Sequence, residues 1–150
     1  MQLIQMGHHE LRIGNRILDS AHQELFNIID WMSHLIEVED VDTLSQAFEL
    51  LEERLHTYFE VEKNIAQAVS FDFTQHQLSH QHLMKEFNHT RDELMVKNDA
   101  LSKLEGNGYI KHMRDCLIQH IKEDSKLLKI VLDTYLYDFK PSSIGDAPGL

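Results

Sequence analysis

The sequence predicts an all-α fold, an antiparallel up-down-up-down four-helix bundle with an N-terminal arm. Three observations carry that expectation. Apolar residues recur at helical spacing in four long stretches. Glycine and proline are scarce, six and two in 150 residues, which suits helices. The connections between the stretches are short, as they are between neighbouring antiparallel helices.

Residues 1–17 have no clean period, and Gly7 and Gly14 punctuate them. They read as an arm whose apolar residues (Leu3, Ile4, Leu11, Ile13, Ile17) lie across helix ends. The first helix is expected over about 19–38, with Asp19 as its N-cap. His22, Leu25, Phe26, Ile29, Met32 and Ile36 form its inward stripe. An acidic turn, Glu39 to Asp42, leads to a second helix over about 43–68. Leu44, Phe48, Leu51, Leu55 and Phe59 make that stripe, and His56 and Glu60 stand beside it at i, i+4. The third helix is expected over about 74–100, its stripe running through His76, His80, Leu83, Phe87, Thr90 and Leu94. Gly106-Asn107-Gly108 reads as a turn. The fourth helix follows over about 109–137, with Met113, Leu117, His120, Ile121, Leu128, Val131 and Tyr135 inward and Asp124 one turn after His120. Residues 1–140 are thus one domain, and 141–150 read as a flexible tail or linker.

The net charge of −11 disfavours a nucleic-acid groove or an anionic membrane face as partner. Cys116 is the lone cysteine, which rules out an internal disulfide and suits a reducing, cytoplasmic setting. Residues 1–6 lack the basic start and cleavage site of a signal peptide, and no apolar run approaches the ~20 residues that span a bilayer. The outlying count is eleven histidines, of which His8, His9, His34, His82 and His89 read as solvated side chains.

His76 and His80 lie one turn apart on the apolar face of their helix. Neutral imidazole is a common metal ligand. Grouped with His22, His56, Glu60, His120 and Asp124, they make five imidazoles and two carboxylates over four helices. Left unpartnered in a core, such groups would each cost about 1–3 kcal/mol, and more if charged. A dimetal centre removes that penalty, and an imidazole-carboxylate mixture suits iron, manganese or zinc. Asp19, one turn before His22, reads either as a plain cap or as an acceptor orienting that imidazole.

In this order these motifs resemble the bacterial hemerythrin domain. The resemblance runs over about residues 11–137: the stretch Ile17 to Phe26 around His22, then His56 with Glu60, His76 with His80, and His120-Ile121 with an aspartate following. It implies a non-haem di-iron centre. One iron would be held by His76, His80 and His120, the other by His22 and His56, with Glu60, Asp124 and an oxo or hydroxo group bridging. Reversible O2 binding follows for the family, in an apolar pocket that here falls to Leu25, Leu117 and Ile121. The chain departs from the family pattern at three places. Asp124 follows His120 by four residues where the family has five, and Ser125 holds the fifth place. Thr57 stands where an aromatic is usual, and Cys116 where a tryptophan is usual, which implies a leakier O2 pocket open to small anions. The resemblance favours an oxygen- or redox-sensing module, not itself an enzyme, with a C-terminal signalling output domain as the partner its tail would suit. A carrier or storage protein, a di-iron oxidase, peroxidase or nitric-oxide-handling enzyme, and a metal-free interaction bundle are the other readings.

Overall fold

The computed structural model describes residues 11–96 and 102–141. Over these it is all-helical. Helix α1 spans Arg16–Glu37, α2 Val41–Ala68, α3 Thr74–Val96 and α4 Lys103–Gln119. A π-helical turn, His120–Asp124, joins α4 to the short helix α5, Lys126–Leu132. The sequence stretches beyond these, the arm before Leu11 and the tail after Pro141, lie outside the described residues, as do His8, His9 and the connection 97–101.

Local chemistry sets the helix starts. Asn15 caps α1, its side-chain oxygen accepting the Leu18 amide at 3.1 Å, so the helix begins a turn earlier than Asp19 suggests. Asp19 lies inside it and is buried. Its carboxylate accepts the backbone amides of Ile13 (2.7 Å) and Gly14 (3.3 Å), which fastens the preceding segment to the helix. Asp40 caps α2 through the Thr43 amide at 3.1 Å. Asp72 accepts the Thr74 amide at 3.1 Å where α3 begins. Ser102 and Glu105 cap each other reciprocally at the start of α4.

That capping box moves the last helix boundary. Gly106-Asn107-Gly108 is not a turn but lies in the opening turns of α4. The reason is close approach. A Cβ on Gly106 would sit 3.2 Å from Ile36 Cγ2, so glycine lets α4 lie tight against α1. Arg114 on α4 and Asp30 on α1 add an ion pair at 2.8 Å, both largely shielded from water.

The core is continuous. Leu18, Leu25, Ile29 and Met32 from α1 meet Phe48, Leu51, Tyr58 and Ile65 from α2. Phe87 from α3 packs edge-on to Phe48 with ring centroids 5.9 Å apart. Met113, Leu117, Ile121 and Leu128 close it from the last helical segments. After α5 the chain returns to the start of α1, where Tyr137 O accepts the Arg16 amide at 2.8 Å and Phe139 O accepts from Asn15 at 3.0 Å. No helix among the described residues is long and apolar enough to cross a membrane.

Candidate metal centre

Helix α2 decides the site. Its stripe of Leu44, Phe48, Leu51 and Leu55 continues at three and four residue steps to Tyr58, Glu62 and Ile65, all buried. His56 follows Leu55 by one residue, which rotates it by ~100°. It faces solvent, with 62% of its side chain exposed, 4.0 Å from Glu52. Glu60 and Thr57 are exposed too, and Thr57 donates back to Glu53 O at 3.1 Å. The expectation that His56 and Glu60 enter the core, and that Thr57 lines a pocket there, is therefore corrected. Tyr58 and Glu62, the pair two residues on, hold the inward positions.

Glu62 is the hub. It is fully buried, and three imidazoles surround it. His80 Nε2 lies 2.7 Å from Oε1, His120 Nε2 3.5 Å from Oε1, and His76 Nε2 3.7 Å from Oε2. Ser125 Oγ donates to Oε2 at 2.7 Å. Burial works against the charge on this carboxylate. The hydrogen bonds from His120 and His80, and the charges of His120 and His76, outweigh it and hold the carboxyl well below the usual carboxylate range.

Neighbouring side chains fix the rings. Phe59 stacks on His80 with centroids 4.0 Å apart and planes 18° from parallel, and Phe73 stacks on His76 at 5.3 Å and 20°. Ser79 Oγ lies 2.7 Å from His120 Nδ1, which leaves His120 Nε2 turned inward. On the other flank, the Tyr58 hydroxyl lies 3.0 Å from His22 Nε2 and 3.0 Å from His120 Nε2. A phenol can donate to one imidazole and accept from the other, so it links α1 to the π-turn.

The π-turn supplies the last inward group. The Ser125 amide donates to His120 O at 3.2 Å, an i→i+5 bond, and the extra residue brings Ser125 round to Glu62. The position five after His120 thus reaches the core and carries a hydroxyl. The side chain of Asp124 lies outside the described residues. Of the other expected pocket residues, Leu25, Leu117 and Ile121 are buried in the core, whereas Cys116 is half-buried on the outer side of α4, beside His112.

Glu62, His80 and His120 offer ligand atoms within 4.8 Å of one another and could hold a metal ion. The donor set suits one: an ionised carboxylate with imidazole nitrogens that already converge on it, His76 completing the ring. Two of the ligands expected for a pair of irons, His56 and Glu60, face solvent. Among the described residues, Tyr58 stands beside His22 and Ser125 beside Glu62, where the expected set had a histidine and a second carboxylate. Tyr58, Glu62, Ser79 and Ser125 were not among the expected site residues. Strict continuation of the α2 stripe past Leu55 would have found the first two.

Over the described residues, fold and site together define an all-helical protein with a buried histidine-glutamate cluster that could hold a metal ion. No family model, curated protein sequence or solved structure matches this chain.

Proposed function

We propose that this chain is a hemerythrin-like antiparallel helical bundle whose centre binds one transition-metal ion, iron first, and serves as a metal- or redox-responsive module. The ligands in this reading are His76, His80, His120 and Glu62. Such an ion would supply one-electron redox chemistry and Lewis acidity within the core. The chain's own residues hold the carboxylate ionised and orient the imidazoles by aromatic stacking and by Ser79, within a core that includes Leu25, Leu117 and Ile121. Access for a cation or small anion falls to the groove beside His80, which Phe59, Glu60, Phe73 and Gln77 line.

The observation that carries the reading is Glu62 in contact with three buried imidazoles, with the Tyr58 hydroxyl seated between His22 and His120. It favours one metal over two, and so disfavours the reversible O2 binding that the resemblance implies, which would need a pair of irons. A cytoplasmic location and a signalling partner joined through the C-terminal tail suit the same reading.

The test is anaerobic titration of the metal-free protein with ferrous iron, followed by elemental analysis after desalting. One iron per chain, lost in Glu62→Gln and His80→Ala but kept in His56→Ala and Glu60→Gln, is the expected result. Two irons with a stable oxygenated form would return the carrier reading. No retained metal would leave the cluster a structural hydrogen-bond network and overturn the proposal.

A further inference from the structure

A second group of metal-ligating side chains lies away from the core, on the outer faces of α3 and α4. His112 and Cys116 stand one turn apart on α4, with Cys116 Sγ 3.7 Å from His112 Nε2. Across the interface, Glu86 of α3 places Oε1 2.7 Å from that same Nε2. The three ligand atoms all lie within 4.8 Å of one another.

From this convergence we infer that Glu86, His112 and Cys116 form a surface site for a borderline-soft divalent cation, zinc foremost. Sulfur, nitrogen and oxygen donors are the set zinc takes, and in a tetrahedron with bonds of about 2.0–2.3 Å they stand about 3.5 Å apart. The separations here need only small side-chain rotations to reach that. The His112 side chain is 54% exposed, so a fourth position is open to water or an incoming ligand. Burial, and then the negative charge of Glu86 and Asp115, pushes the Cys116 thiol up, so an incoming cation has to displace its proton. The hydrogen bond from His112, and then the positive charges of His82 and His89 on the same helix as Glu86, favour the ionised form of the Glu86 carboxylate. The ion would clasp α3 to α4, through ligands none of which belongs to the core cluster, so this site stands whether or not the core holds metal.

Sulfur makes the two sites separable, since the core set has none. The experiment is titration of the full chain with Co2+, read as the near-ultraviolet thiolate-to-cobalt charge-transfer band, in wild type, Cys116→Ser, His112→Ala and Glu86→Gln. Circular dichroism checks that each variant is folded, and the three positions are at least partly exposed. The expected result is a band in wild type that Zn2+ abolishes and that Cys116→Ser lacks. His112→Ala and Glu86→Gln should weaken cobalt binding about tenfold or more. In wild type, Zn2+ should also slow alkylation of Cys116 by iodoacetamide about tenfold or more. A wild type with neither a thiolate band nor zinc protection overturns the inference. So does a band of equal affinity in His112→Ala and Glu86→Gln, which would mean that the thiol binds the metal without them.

Discussion

Removing one oxygen atom tests the centre's unusual linkage. Tyr58→Phe keeps the ring that fills the core but deletes the hydroxyl that touches His22 Nε2 and His120 Nε2, each at 3.0 Å. Tyr58 is 1% exposed, His22 1% and His120 3%, so water does not readily replace what is lost. Two hydrogen bonds at about 1 kcal/mol each give about 2 kcal/mol, and the imidazoles that stay buried push the cost upward from there. At this chain length about 2 kcal/mol corresponds to a fall of about 4–8 °C in Tm. The assay is urea unfolding with a chelator present, so that metal linkage does not enter, with the slope compared to confirm that only the midpoint moves. A loss below about 0.5 kcal/mol would mean that the hydroxyl joins no more than one of the two rings, and the linkage argument would fail.

Three further outcomes are expected. The Glu62 carboxyl is held low in the folded state, so its contribution to stability is full above the unfolded value of about 4.3 and is lost as pH falls through the folded value. Urea midpoints of metal-free protein measured through that acid range should fall more steeply in wild type than in Glu62→Gln, and parallel curves would contradict the ionised carboxylate. Tyr58→His/Ser125→Asp places a histidine and a carboxylate at the two positions that lack them, and should raise bound iron from about one to about two per chain by elemental analysis. An unchanged count would mean that the second position fails for reasons other than its ligands. Gly106→Val inserts a branched side chain where a Cβ already meets Ile36 at 3.2 Å, and should cost about 1–3 kcal/mol by chemical denaturation, whereas a gain would place α4 farther from α1.

Much of the fold is legible because long helices leave a long record. The α1 and α3 stripes place His22, His76 and His80 inward, and the structure buries all three. The α2 site is misread for a specific reason. His56 and Glu60 have the i, i+4 spacing of a ligand pair, but they stand about 100° and about 140° round the helix from Leu55, and the core selects by phase, not by residue type. The residues in phase were a tyrosine and a second glutamate, which carry a weaker metal signal. The turn expected at Gly106 fails because a glycine needed for close helix approach looks, in sequence alone, like one needed for a turn. The π-turn is invisible in composition: nothing in His120-Ile121-Lys122-Glu123-Asp124 marks the inserted residue, and only the i→i+5 bond from Ser125 reveals it.

The π-turn and Tyr58 bear on one question, which is how each helix is tied to the centre. A metal on His76, His80, His120 and Glu62 would join α2, α3 and the π-turn, but it would not reach α1. Helix α1 is tied instead by His22 through the Tyr58 hydroxyl, a bond that exists without any metal. The same hydroxyl touches His120, so the ring that α1 reaches is also one the ion would claim. An ion drawing on His120 Nε2 competes with the phenol for that nitrogen, and the phenol can then turn wholly to His22. Loading and unloading such a centre would therefore change the partner of a buried hydroxyl that touches the π-turn through His120. That turn runs directly into α5 and then to Tyr137 and Phe139, whose carbonyls hold Arg16 and Asn15 at the start of α1. Under the proposed reading, a route from a bound ion to the C-terminal segment would pass through elements already in contact, as a responsive module requires.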